Sequence, residues 1–212
     1  MLCGTLGVQP QSLPLMPKPQ KQSAASRPQK SGTVRMISGA WRGRKVPVLD
    51  SPGLRPTPDR IRETLFNWLQ GELVDATCID LFAGTGALGL ECLSRGARFC
   101  HFIDQQSQVC RHLNTQLQIL GGTAKSQVHC TDATNFIDHF ADSADLVFID
   151  PPYRQNLIEP LLPILSGWQT RWFYIETASD ETAPFVPGHW SLHREVKAGQ
   201  VCAKLYYNTL TD

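Results

Sequence analysis

Thr77-Cys78-Ile79-Asp80-Leu81-Phe82-Ala83-Gly84-Thr85-Gly86-Ala87-Leu88-Gly89 decides the fold. Residues 77–82 read as a buried strand, and a helix to about Arg95 follows the glycines. Gly84, Gly86 and Gly89 let the backbone turn tightly and come close to a ligand, and the helix N-terminus offers free N–H groups. The spacing Gly-x-Gly-x-x-Gly after a strand resembles a dinucleotide fingerprint, which is weak evidence by itself. Two carboxylates narrow it. Asp80 stands before the loop, where it would repel a pyrophosphate and could pair with a cation. The next strand, residues 99–103, ends in Asp104, about 20 residues on, where an acid accepts from both ribose hydroxyls. A nucleoside carrying a positive amino-acid end, S-adenosyl-L-methionine, fits this pair better than NAD does.

Working outward, strand and helix patterns alternate. Residues 106–120 predict an amphipathic helix and residues 127–131 a third strand. Asp132 and Ala133 follow that strand, where an acid could accept from the adenine amine. A fourth strand spans 145–149, a short or broken helix 157–165 despite Pro160 and Pro163, and a fifth strand 172–176. Residues 191–196 and 201–207 predict a final antiparallel pair around Ala198 and Gly199. This order is that of an α/β domain.

The fourth strand ends in Asp150-Pro151-Pro152-Tyr153. Neither proline has an N–H for a ladder, so the chain must leave the sheet there and stiffen. In open α/β sheets ligands bind at that end of the strands. A carboxylate and a carbonyl can accept from an exocyclic amine, and a ring can stack on a base. The corner therefore suggests chemistry on the amino group of a planar heterocycle; an ordinary strand-ending turn is the plainer alternative.

The 212 residues are 42% hydrophobic and 18% charged, enough for one globular domain with an appendage. No apolar run approaches membrane-helix length. The seven cysteines include no Cys-x-x-Cys pair and read as small core residues of a reducing compartment; with the six histidines showing no metal spacing, no metal site is expected. The net charge of +1 conceals a segregation: residues 1–32 carry +4 and residues 33–62 carry +5, which leaves −8 on the remaining 150. A basic front on an acidic body implies a polyanionic partner.

That front has parts. Residues 1–33, rich in Pro, Gln, Ser and Lys, predict a disordered tail. Residues 34–48 predict a hairpin, with strands 34–37 and 45–48 and a turn through Ser38 and Gly39. Within it Trp41, Arg42, Arg44 and Lys45 interleave an aromatic with cations, suited to bases and phosphates, although Trp41 could equally anchor the hairpin. A helix follows with Thr57 as cap, Pro58 at its first position and Asp59 in its first turn. Its apolar face is Ile61, Leu65, Trp68 and Leu69. Arg55, Arg60 and Arg62 at its start oppose the helix dipole, which points to phosphate contact.

The motifs Asp80-Leu-Phe-Ala-Gly84-Thr-Gly86-Ala-Leu-Gly89, Asp150-Pro-Pro-Tyr153, Arg55-Pro-Thr-Pro-Asp59-Arg-Ile-Arg62-Glu63 and Met36-Ile-Ser-Gly-Ala-Trp41-Arg-Gly-Arg44 together resemble the RsmD family, the bacterial 16S rRNA (guanine(966)-N(2))-methyltransferases. The resemblance covers about residues 34–208. It implies a Rossmann-like S-adenosylmethionine-dependent methyltransferase fold: a seven-stranded, mostly parallel sheet with a C-terminal antiparallel hairpin, extended by a small N-terminal β-hairpin and helix. The division it implies is a tail at 1–33, a basic RNA-binding and site-closing segment at 34–71, and a methyltransferase domain at 72–212. Asp80, Phe82, Gly84, Gly86, Asp104, Asp132 and Ala133 would hold the cofactor. Asp150, Pro151, Pro152 and Tyr153 would hold the target base, and Arg35, Trp41, Arg42, Arg44, Lys45, Arg55, Thr57, Arg60 and Arg62 would touch RNA. The implied partner is 16S rRNA within the 30S subunit or a late assembly intermediate, met by a cytoplasmic monomer with no membrane contact. One departure is Gln106, where the family often has a second acid after the ribose carboxylate.

Two other functions compete. Asp-Pro-Pro-Tyr also serves adenine-N6 methyltransferases of DNA or RNA, though no sizeable target-recognition insertion interrupts these strands. A non-catalytic RNA-binding assembly factor could keep the same fold.

Overall fold

The sheet is built around β3 (Thr77–Asp80), whose four residues are all buried. β4 (Phe99–Asp104) lies parallel to it on one side and β6 (Leu146–Ile149) parallel on the other. β5 (Ser126–Cys130) extends the first side, and β7 (Trp172–Ala178), β9 (Val201–Asn208) and β8 (Trp190–Ala198) extend the second. The strand order is β5-β4-β3-β6-β7-β9-β8, with β9 antiparallel to both of its neighbours. The chain winds outward from β3 through β5 and then returns to β6 at β3's other edge. Side by side at that reversal are the ends of β3 and β6, the place where such sheets bind ligands. Leu81 N–H donates to Phe148 O at 3.1 Å, so the two ends leave the sheet in register.

Alternate residues of the central strands feed two cores. Cys78, Leu146 and Phe148 face one, which is completed by α1 (Asp59–Trp68), α2 (Ala87–Ser94) and α3 (Ser107–Leu120). Ile79, Leu81, Val147 and Ile149 face the other, completed by α4 (Ala133–His139) and α5 (Leu162–Leu165). Both faces are covered, which is why these strands are apolar runs without polar alternation.

A separate two-stranded sheet, β1 (Thr33–Arg35) with β2 (Lys45–Pro47), precedes them. It docks on α2 through a buried carboxylate. Glu91 accepts from Ile37 N–H at 2.8 Å and Ser38 N–H at 2.9 Å, and its Oε1 also holds Arg95 Nε at 2.8 Å. Gly39 sits against the end of α2 so closely that a Cβ would lie 1.7 Å from Ser94 O.

The computed structural model describes residues 1, 4, 32–49 and 58–211, and Ser31–Asp212 is one compact unit. The expected tail, apart from residues 1, 4, 32 and 33, lies outside the described residues, as do Arg55 and Thr57. Several boundaries shift from the sequence reading. Thr33 already pairs with Pro47, so it belongs to the hairpin. The hairpin turn is a 3-10 turn at Gly39–Trp41, longer than the expected Ser38-Gly39 turn. Pro58 takes the cap position of α1 and Asp59 begins the helix. The helix expected over 157–165 shrinks to Leu162–Leu165, because Pro160 and Pro163 cannot donate within it and Pro163 is tolerated only in its first turn. Finally, α4 was absent from the sequence reading. Asp132 caps it, accepting from Asn135 N–H at 2.9 Å.

Candidate active site

Four strands deliver an acid to the same end of the sheet: Asp80 from β3, Asp104 from β4, Asp150 just after β6, and Glu176 within β7. All four line one cavity of about 560 Å³, a size that takes a nucleoside ligand with a second planar group beside it.

One half of the cavity is the glycine loop and its neighbours. Gly84 and Gly86 have φ of +50° and +75°, a left-handed region that a side chain would strain. Gly89 has another reason: a Cβ there would lie 2.4 Å from Phe102 and 2.7 Å from Cys100 Sγ, so it lets α2 settle on the sheet. Asp80 is 2% exposed and accepts from Gly89 N–H at 3.1 Å. Burial pushes its carboxyl up to about 7; the Gly89 N–H pulls against this and the Asp104 charge adds to it. A buried carboxylate that resists ionisation suits a cationic ligand group, which would restore its charge. Asp104 accepts from Gly84 N–H at 3.1 Å and from Gln106 N–H at 2.8 Å, one on each oxygen. Burial raises its carboxyl too, against those two backbone bonds. Each oxygen keeps a second lone pair for a diol hydroxyl. Phe82, Ala133 and the helix-capping Asp132 complete this half.

The other half is the Asp150 corner with Pro58, Glu176, Gln200 and Val201. Pro151 is buried and Pro152 exposed, which holds Asp150 and Tyr153 on a stiff bend. The Tyr153 hydroxyl donates to Glu176 Oε1 at 2.5 Å, and the fully buried Tyr174 donates to Glu176 Oε2 at 2.7 Å. Burial and the Glu176 charge push the Tyr174 phenol well up, and the two hydroxyls hold Glu176 from two sides. After Tyr153, Arg154 and Asn156 adopt φ of +61° and +50°. Non-glycine residues enter that region at a cost, and such strain clusters at working loops.

All the expected cofactor and target-base residues except Gly86, which caps α2 behind the loop, thus line one cavity. The expected RNA residues divide. Arg35, Arg42, Arg44, Lys45 and Arg60 are exposed. Trp41 is half-buried, its backbone N–H donating to Ser94 Oγ at 2.9 Å and its ring lying against Gly122. Arg62 corrects the expectation: it is 0% exposed and cannot reach a phosphate. It bonds Arg35 O at 2.9 Å and Asp59 at 2.8 Å, tying α1 to β1. The dipole argument failed there because a tertiary partner, Arg35 O, was waiting. Glu176, Glu91 and Gln200 escaped the sequence reading. For Glu176 the signal was present, an acid near the end of a buried strand, as at Asp80 and Asp104.

Comparison with known proteins agrees with this architecture. The family model described as "Conserved hypothetical protein 95" matches residues 34–207. Ribosomal RNA small subunit methyltransferase D of Escherichia coli K12 is 47% identical over 180 residues, 83% of this chain and 90% of that protein. The Haemophilus influenzae protein of the same name is 40% identical over 85% of this chain and 97% of that one. Among solved structures, a putative methyltransferase, yhhF from Escherichia coli, superposes with a TM-score of 0.77 at 43% identity, covering 84% of this chain and 98% of that chain. The fold is therefore the Rossmann-like methyltransferase fold that the motifs implied, and the chain belongs to the Conserved hypothetical protein 95 family, which is the RsmD family.

Proposed function

We propose that this chain is an S-adenosylmethionine-dependent methyltransferase acting on the exocyclic N2 of a guanine in small-subunit ribosomal RNA, of the 966 type. The observation that carries the reading is the meeting of two halves in one cavity: a glycine loop flanked by Asp80 and Asp104, and an Asp-Pro-Pro-Tyr corner across from it. The names of relatives at 47% and 40% identity support the rRNA substrate.

Asp80 pairs with the donor's ammonium and Asp104 accepts from its ribose hydroxyls. When bound, the donor supplies a sulfonium methyl that leaves with its bonding pair remaining on sulfur. The protein's task is to aim nitrogen at it. Asp150 and the Pro151 carbonyl accept the two N–H bonds of the guanine amine, which turns the nitrogen lone pair toward the methyl. Tyr153 stacks on the extruded base while Glu176 keeps the ring from turning. Positioning and preorganised acceptors supply most of the rate, and no covalent link to the protein forms. The product ammonium loses its proton to Asp150 or water.

The basic hairpin and α1, at 34–71, hold the RNA backbone through Arg35, Trp41, Arg42, Arg44, Lys45 and Arg60, and the rest of the described chain performs transfer. The substrate is the 30S subunit or a late precursor, met by a cytoplasmic monomer. Labelled methyl transfer to small subunits, naked rRNA, DNA and protein tests this, with mass mapping of rRNA from cells lacking the gene. Label in DNA or protein instead of small-subunit guanine N2 would overturn it.

A further inference from the structure

We propose that a second cavity, behind the Asp150–Tyr153 corner, forms together with Phe185, the residue after its lining Pro184, a subsite for an unpaired RNA base next to the methylated guanine; it rests on the rRNA reading above. The cavity measures about 290 Å³ and is lined by Pro151, Pro152, Tyr153, Glu181, Thr182 and Pro184 among others. It shares Tyr153 and Glu176 with the main cavity, so one short loop separates their contents. Neighbouring nucleotides of one strand can therefore occupy the two sides.

The wall facing that loop is the β7–β8 connection, and its first residues are tied to the corner. Arg154 Nη2 reaches both oxygens of Asp180 at 3.0 and 2.8 Å. Glu181 accepts from Arg154 N–H at 2.5 Å and Ala178 N–H at 2.8 Å. These bonds hold the strained residues after Tyr153 and fix the connection against them. Four residues beyond Glu181, Phe185 is 91% exposed. An intact phenyl ring in water contributes nothing to the fold, and its neighbour Pro184 already lines the cavity.

Charge selects the occupant. Glu159, Glu176 and Glu181 line the cavity together with Arg154, whose charge is matched by Asp180; the remaining excess of acid disfavours phosphate and favours base amino groups. An exposed aromatic ring on the segment that supplies Glu181 and Pro184 fits the face of an unstacked base. Turning a guanine out of its stack leaves its neighbour with a bare face, and Phe185 is the exposed ring this segment offers to cover it.

The test uses the full chain, labelled cofactor and small subunits from cells lacking the gene. Phe185→Ala should lower kcat/KM for the particle by roughly tenfold, the loss of one stacked base. Cofactor affinity and melting temperature should stay at wild-type values, and Phe185→Trp should restore most of the rate. A photoreactive Phe185→p-benzoylphenylalanine variant should crosslink to rRNA. An alanine variant within twofold of wild type, a tryptophan variant as impaired as alanine, or crosslinks to ribosomal protein alone would each overturn the subsite. If wild type itself labels no rRNA, the functional reading falls first; if wild type and Phe185→Ala label equally, only the subsite falls.

Discussion

The hydroxyl of Tyr153 donates to Glu176 at 2.5 Å, joining the corner after β6 to the adjacent strand β7. The other Glu176 oxygen is held by Tyr174 at 2.7 Å. A ring expected to stack on the target base is thus aimed by a carboxylate 2% exposed to solvent. Tyr153→Phe keeps the stacking surface and removes the aim. It should lower kcat by about tenfold, an order suited to one lost positioning bond near 1.4 kcal/mol, and leave cofactor affinity unchanged. Rapid-quench single-turnover kinetics would show it; a wild-type rate in that variant would remove Glu176 from the account.

On the proposed reading, Asp150→Ala takes away one acceptor of the target amine but none of the cofactor's partners. Transfer should fall by 10² or more, as for loss of a preorganised acceptor, while cofactor affinity by calorimetry should move by no more than a few-fold. If cofactor binding is lost along with transfer, Asp150 belongs to the other half of the cavity.

Asp80 predicts a pH dependence. Its folded carboxyl titrates near 7, above the ordinary value of 3.8. Below about pH 7 the unliganded protein keeps a proton there, and a bound ammonium displaces it. Cofactor affinity should therefore decline as pH falls through 7, with proton release on binding measurable in buffers of different ionisation enthalpy. The same shift opposes folding: the penalty is absent below 3.8, grows between 3.8 and 7, and above 7 amounts to up to roughly 4 kcal/mol. Asp80→Asn should then melt higher than wild type at pH 8 without ligand, and bind cofactor poorly at every pH. A pH-independent affinity in wild type contradicts this assignment.

Glu91 predicts a separation of functions. Its carboxylate, 0% exposed, is the hairpin's anchor through Ile37 and Ser38. Glu91→Ala strands those N–H groups and Arg95, at a cost of about 2–4 kcal/mol. Amide exchange should quicken across residues 33–47, and affinity for the small subunit should drop with cofactor binding preserved. Unchanged protection in the hairpin would show that other contacts hold it.

His101 and His129 set an acid limit. Their ring nitrogens lie 3.1 Å apart beside Phe136. Burial lowers both, His101 to about 4, where the neighbouring His129 adds to the effect. A lowered folded value means the pair's stability is intact above 6.5 and is lost as pH falls from 6.5 toward 4. The melting temperature should drop across that window by an amount matching roughly 2 kcal/mol, and His101→Gln should flatten the drop. An equal slope in that variant would place the titration elsewhere.

Much of this was written along the chain. The glycine loop, the double proline after a buried apolar run and the alternation of elements depend on local backbone chemistry, which sequence spacing reports directly. Asp80, Asp104 and Asp150 were legible because each stands where a strand ends. What no local rule reveals is pairing between distant segments. Arg62 looked like a surface cation until Arg35 O and Asp59 enclosed it, and Glu91 looked like a helix residue until the hairpin backbone came to rest on it. Glu176 acquired its role only when the order β6-β7 brought Tyr153 beside it. Burial and partnership are properties of the assembled sheet. They decide which charges stay on the surface, which hold the fold and which gather at the cavity.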